Sequence, residues 1–124
     1  MAKIEKFEDI QAWQRARELN RRIYRITRDG QFVKDFNLID QIRSAAISIM
    51  SNIAEGFARR TNKEFANFLV IAHGSAAELQ SHLYIALDQR YISENEFSDI
   101  YNEVDEVSRM IQGFSSYLRN FKTI

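Results

Sequence analysis

The chain has 124 residues, of which 45% are hydrophobic and 27% charged, and its 17 basic and 17 acidic side chains give a formal net charge of zero. This composition favours one globular domain over residues 1–124, and the absence of cysteine excludes disulfides, thiolate metal sites and a thiol nucleophile. No segment approaches the roughly 20 apolar residues of a membrane span and the N-terminus lacks the apolar core of a signal peptide, so we expect a cytoplasmic protein without a membrane partner.

The first predicted helix runs from about residue 9 to residue 28. Asp9 is the expected N-cap, and Gly30, just past the last basic turn, is the expected stop signal. Proline, which would interrupt a helix, is absent from the chain. Apolar residues recur at the three- and four-residue intervals of a buried helix face: Ala12, Ala16, Leu19, Ile23 and Ile26.

The second predicted helix runs from about residue 38 to residue 57, with Asn37 as its expected cap. The connection that precedes it is the longest in the chain. It carries three large apolar residues, which we expect to lie under one end of the helices: Phe32, Val33 and Phe36.

The third and fourth helices are predicted over residues 62–90 and 94–120. Segments 61–64 and 93–96 both match the S/T-x-x-E capping box, in which a hydroxyl and a carboxylate satisfy backbone amides reciprocally. The fourth helix carries a strict heptad of apolar residues, which is typical of a coiled-coil seam: Phe97, Ile100, Val104, Val107, Ile111, Phe114, Leu118 and Phe121.

These four segments predict an all-α fold, an antiparallel up-down four-helix bundle. Short turns set which residues face each other, and in the last hairpin they place small apolar residues opposite large ones, as in Ala76 with Val107. In the hairpin of the second and third helices they predict a polar seam. Its facing pairs are Asn52 with Asn67, Ser44 with Ser75, and Arg43 with Glu78.

The second and third helices carry apolar residues outside the one stripe that faces the core. A monomeric bundle needs one buried face per helix, so the excess predicts self-association into a homo-oligomer. The residues off the core line are Ile47, Met50, Ala54, Phe57, Phe68, Val70, Ile71, Tyr84, Ile85 and Leu87.

Basic residues are concentrated in the first half of the chain. On the first helix, Arg17, Arg21, Arg25 and Arg28 follow helical spacing and form one stripe, a pattern that suits phosphate binding. The alternative is a solvated face that the acidic fourth helix of a neighbouring copy partly neutralises. The full candidate set for a nucleic-acid or protein partner is Arg15, Arg17, Arg21, Arg22, Arg25, Arg28, Arg59 and Arg60.

Enzymatic patterns are weak, and we predict a non-enzyme without cofactor or metal. Ferritin-like di-iron sites need Glu-x-x-His pairs, which the sequence lacks. His73 and His82 lie on opposite sides of the third helix and cannot share an ion, while Glu78 and His82 would supply only two ligands. No G-x-S-x-G elbow or glycine-rich phosphate loop is present.

Three segments resemble one protein family: FEDIQAWQRA (7–16), QIRSAAISIMSNIAEGFARR (41–60) and KEFANFLVIAHGSAAELQSHL (63–83). The family is that of the four-helix bundle proteins encoded in intervening sequences of bacterial 23S ribosomal RNA genes. Its motif positions here, which we interpret as structural, are Trp13, Arg43, Ser48, Asn52, Glu55, Gly56, Gly74, Ser75 and Glu78.

The resemblance implies an up-down bundle that assembles as a homopentamer and has no established enzymatic activity. A related branch, the accessory variability proteins of diversity-generating retroelements, is basic and contacts nucleic acid, whereas this chain is net neutral. We therefore favour a non-catalytic oligomeric scaffold or adaptor. The alternative function is an RNA- or DNA-binding accessory protein that uses the arginine-rich first helix.

Overall fold

The computed structural model describes residues 4–120. Four α-helices follow one another along the chain: α1 (Gln11–Ile26), α2 (Phe36–Ala58), α3 (Asn62–Asp88) and α4 (Glu94–Asn120). Short 3-10 turns precede α1 at Phe7–Asp9 and α2 at Phe32–Lys34. Each helix packs against the next one and α1 packs against α4, so the described chain forms the predicted all-α antiparallel four-helix bundle.

The core is formed by the predicted apolar stripes. On α4, Ile100, Val104, Val107 and Ile111 are fully buried, which confirms the heptad seam over the described residues. Phe121, its last predicted member, lies outside them. In the α3–α4 hairpin the Tyr84 ring lies 4.8 Å from that of Phe97, so the two helices pack together near their connecting turn.

Both predicted capping segments lie at helix starts, and the second one forms the complete reciprocal box. Thr61 Oγ1 accepts a hydrogen bond from the Glu64 amide at 3.2 Å. Ser93 and Glu96 form the complete reciprocal pair, with the Ser93 amide donating to Glu96 Oε1 at 2.9 Å and the Glu96 amide donating to Ser93 Oγ at 3.1 Å. These local pairs set the first turns of α3 and α4.

The predicted caps of the first two helices are wrong. Asp9 accepts from the amides of Glu5 and Lys6 at 3.0 and 3.2 Å, so it closes the preceding 3-10 turn, and α1 begins after Ile10. Asp35 caps α2 by accepting from the Leu38 amide at 3.1 Å, which places Asn37 inside the helix. In each case a neighbouring turn or a second polar residue competes for the same role.

The connection between α1 and α2 differs in part from its prediction. Helix α1 ends at Ile26, and Gly30, with φ of 64°, forms the turn beyond it rather than the stop itself. Phe32 is buried as expected, but Phe36 is 76% exposed and does not lie under the bundle. Tyr91, in the α3–α4 turn, stacks on Phe32 at 5.1 Å and closes this end of the bundle.

Tyr91 also ties the two connections at this end together by a polar contact. Its hydroxyl donates to Asp35 Oδ2 at 2.9 Å, while Asp35 Oδ1 caps α2. This hydrogen bond to the carboxylate raises the pKa of Tyr91 above 10.0. The hydrogen bond from the protonated Tyr91 hydroxyl therefore holds the α3–α4 turn against the start of α2.

The predicted polar seam between α2 and α3 is shifted by one turn. The Ser75 hydroxyl forms a hydrogen bond with that of Ser48 at 2.8 Å and does not face Ser44. Asn52 Nδ2 donates to Ser48 Oγ at 3.0 Å, and not to Asn67. The Arg43–Glu78 pair is also wrong. Arg43 Nε instead donates to Thr27 Oγ1 at 2.9 Å, because Arg43 lies on the edge of α2 that faces α1.

None of the helices within residues 4–120 has the length and apolar character that a membrane span needs.

Candidate functional site

One edge of α1 is neutralised by α4 of the same chain. The Arg15 guanidinium lies 2.7 Å from a carboxylate oxygen of Glu106. Arg22 contacts Glu103 at 3.0 Å and Asp99 at 3.6 Å. The acidic fourth helix thus pairs with arginines as anticipated, but it does so within one chain rather than between copies.

The opposite edge of α1 carries the predicted arginine stripe. These side chains border one open surface depression of about 480 Å³, whose lining residues are Arg17, Asn20, Arg21, Tyr24, Arg25 and Arg28. All four arginines are exposed, and none has an ion-pair partner within residues 4–120. The single acidic residue of α1, Glu18, lies 3.7 Å from Arg15 on the other edge. We call this feature the cationic groove.

Two residues that the sequence interpretation missed fix α1 against α2 beside the groove. Asn20 is 8% exposed, and its Nδ2 donates to the carbonyls of Ala16 at 2.9 Å and Ala46 at 2.8 Å. Thr27 is fully buried and donates to the Ile23 carbonyl at 2.8 Å. Their spacing could have revealed them, because both continue the buried stripe of α1 and buried polar groups require partners.

Tyr24, also missed, forms a wall of the cationic groove. The Arg43 guanidinium lies 4.3 Å from the centre of its ring, and Arg43 is itself held by Thr27. A similar contact places the Arg17 guanidinium 5.9 Å from the centre of the Trp13 ring. The rings of Trp13 and Tyr24 therefore each contact one guanidinium group, that of Arg17 and that of Arg43 respectively.

Arg59 and Arg60 do not join this groove. Arg59 pairs with Glu55 at 3.1 Å and lies 5.0 Å from the centre of the Phe68 ring. Arg60, with φ of 69°, lines a separate depression together with Phe65 at the other end of the bundle. The structure therefore divides the predicted arginine set into three groups: paired with α4, lining the groove, and distant from it.

Most motif positions have contacts that explain them structurally. Trp13 packs edge-on against Phe7 at 5.1 Å, and Ser48, Asn52 and Ser75 form the hydrogen bonds between α2 and α3. Gly56 permits close helix approach, since a Cβ there would lie 2.7 Å from Phe68 Cβ. Glu78 is exposed and has no hydrogen-bond or ion-pair partner among residues 4–120.

Gly74 differs from Gly56, although both are motif positions that the sequence analysis interprets as structural. A Cβ built at Gly74 would have no heavy atom within 4 Å. Its neighbours one turn away are apolar and exposed, with Val70 at 50% and Ile71 at 52%, and Ile85 follows at 46%. We call this surface the outer face of α3, and its exposed members are Asn67, Val70, Ile71, Gly74, Ala77, Glu78, Ser81 and Ile85.

Most other apolar residues of α2 and α3 that lie outside the core-facing stripe are partly buried by neighbouring side chains of the same chain. Met50, Phe57, Phe68 and Leu87 are half-buried, and Tyr84 packs on Phe97 and Tyr101. Ile47 is 44% exposed on the edge of α2 next to α1. Only part of the predicted excess apolar surface thus remains open, and much of it lies on the outer face of α3.

No group of three or more potential metal ligands comes together in the part of the chain that the structure describes. His82 Nε2 is buried without a hydrogen-bond partner, and His73 lines a small depression with Gln112. Within residues 4–120, neither histidine belongs to a cluster of three potential metal ligands.

The fold and the surface together define the class of protein, which is an antiparallel four-helix bundle with one cationic edge. Residues 8–113 match the family model described as 23S rRNA-intervening sequence protein, and the chain belongs to that family. A crystal structure of a protein with unknown function from the S23 ribosomal protein family of Bacteroides thetaiotaomicron is similar, with a TM-score of 0.76 and 25% sequence identity. The match covers 84% of this chain and 97% of that one. No curated protein matches the chain.

Proposed function

We propose that the chain is a non-catalytic scaffold that assembles from several identical copies through the outer face of α3. The observation that carries this proposal is a row of half-exposed Val and Ile side chains around Gly74. Glycine in a helix interior costs about 1 kcal/mol relative to alanine, and no contact within residues 4–120 explains it. A second copy packed on this face would bury the apolar side chains and use the space above Gly74. The family resemblance favours five copies.

The Ile71→Glu substitution tests this assembly. A carboxylate at the centre of a buried contact is costly, so we expect the variant to dissociate to the 14.6 kDa monomer while the wild type has several times that mass. Light scattering coupled to size-exclusion chromatography measures both. Ile47→Glu is the matched control, because Ile47 is similarly exposed on another face, and it should leave the mass unchanged. A wild type that is monomeric at micromolar concentration contradicts the proposal.

A second candidate function, binding of RNA or DNA, is favoured by a different observation. The four arginines of the cationic groove lack acidic partners within residues 4–120, although the chain as a whole is neutral. Guanidinium groups bind phosphates in a bidentate geometry, and repetition of the groove in an oligomer would raise the effective concentration of sites. The scaffold would then present several such grooves to one strand.

The paired substitution Arg21→Gln and Arg25→Gln tests the second candidate. Binding of a labelled RNA oligonucleotide, followed by fluorescence anisotropy, should weaken steeply with salt, and the double variant should flatten the log–log slope by about 1.4. The double variant Arg15→Gln and Arg22→Gln removes the same charge from the edge that α4 neutralises, and it should change the slope much less. Equal effects of the two double variants would show that total charge, rather than the groove, governs binding.

A further inference from the structure

We infer that the cationic groove binds single-stranded rather than duplex nucleic acid, with an unpaired base against the Tyr24 ring. This inference rests on the second candidate function and names the form of nucleic acid that the groove selects. It depends on the position of one aromatic ring within the row of arginines.

The arginine row is regularly spaced. Successive members of the set Arg17, Arg21 and Arg25 are four residues apart, which corresponds to about 6 Å along the helix axis. That distance is comparable to one nucleotide of an extended strand, so neighbouring arginines can contact neighbouring phosphates.

Tyr24 lies within this row and is held in place. The Arg43 guanidinium stacks on its ring at 4.3 Å, and Arg43 Nε is fixed by the hydroxyl of Thr27 at 2.9 Å. The ring therefore lines the depression while the Arg43 guanidinium holds one of its faces. Such pre-organised aromatic rings beside a basic groove are the means by which proteins bind unpaired bases.

The depression is large enough for this contact. It is open to solvent and has a volume of about 480 Å³, so an unpaired base can approach the Tyr24 ring from outside. In a duplex the bases are stacked inside the helix and cannot stack on a ring in the wall of a depression. Single-stranded and duplex nucleic acid can both make the phosphate contacts, whereas only an unpaired base can make the Tyr24 contact.

The test compares one labelled RNA strand with the duplex that it forms with its complement, at one salt concentration, using the full chain. We expect the wild type to bind the single strand about tenfold more tightly, which is the effect of one stacked base. Tyr24→Leu keeps an apolar side chain without a ring and should remove this preference by weakening single-strand binding alone. Tyr24→Phe, which keeps the ring, should retain it.

Each outcome separates the inference from the function on which it rests. If strand and duplex bind equally and Tyr24→Leu changes neither, while Arg21→Gln with Arg25→Gln weakens both, the groove binds phosphate and the inference is overturned. If the wild type binds neither RNA, both the inference and the second candidate function fail. Should Tyr24→Leu lose its helical circular dichroism, Tyr24→Trp serves instead, and a loss of single-strand preference with this larger ring would also overturn the inference.

Discussion

Gly56→Ala is expected to lower the free energy of unfolding by about 1–3 kcal/mol, although alanine is the better helix former. The added Cβ would lie 2.7 Å from Phe68 Cβ, 2.9 Å from Phe65 Cδ1 and 3.3 Å from the Phe65 carbonyl oxygen. None of these atoms is the free end of a flexible side chain. Phe65 is 7% exposed, and its ring packs against those of Phe57 and Phe114. Relief of the clash therefore requires α2 and α3 to move apart.

The matched control is Gly113→Ala. Gly113 lies inside α4, and a Cβ there would meet no heavy atom within 4 Å. We expect this substitution to raise the free energy of unfolding by up to about 1 kcal/mol, opposite in sign to Gly56→Ala. Urea titrations followed by circular dichroism measure both, at one protein concentration because assembly would make stability depend on it. Stabilisation by both substitutions would mean that α2 and α3 do not approach closely at Gly56.

The sequence predicts a structural feature best when the interactions that determine it join residues close together in the chain. The caps at Thr61 and Ser93 need only residues three positions apart, and both hydroxyls accept the expected backbone hydrogen bond. Asp9 and Asn37 have the right side chains for caps, but each is near another turn or polar residue that takes the role. Periodicity assigns a residue to a helix face well, but it assigns a helix start less reliably.

The candidate site shows the same limit over longer distances. Spacing places Arg17, Arg21 and Arg25 on one stripe, and they do line one groove. Spacing does not say which edge of α1 faces α4, because that depends on the direction in which the helices wind around the core. The contacts of Arg43 and Arg22 with other helices therefore required the three-dimensional structure.

The division of α1 into a structural edge and an open edge predicts different outcomes for adjacent arginines. Arg22 is one-third exposed, and its guanidinium contacts Glu103, whose side chain is 15% exposed. Removal of the positive charge leaves a mostly buried carboxylate without a partner, and a new negative charge adds repulsion from Asp99 as well. Arg21, one residue earlier, faces solvent in the cationic groove and has no such partner within residues 4–120.

Arg22→Glu is accordingly expected to lower the free energy of unfolding by about 2 kcal/mol, whereas Arg21→Glu should change it by no more than about 0.5 kcal/mol. Urea denaturation of both variants measures the difference. Glu103→Arg in the Arg22→Glu background restores opposite charges across α1 and α4, so it should recover much of the loss. Nucleic-acid binding should follow the reverse order, with Arg21→Glu weakening it more than Arg22→Glu. Equal stabilities of the two single variants would contradict the assignment of Arg22 to the structural edge, and with it the distinction on which the cationic groove depends.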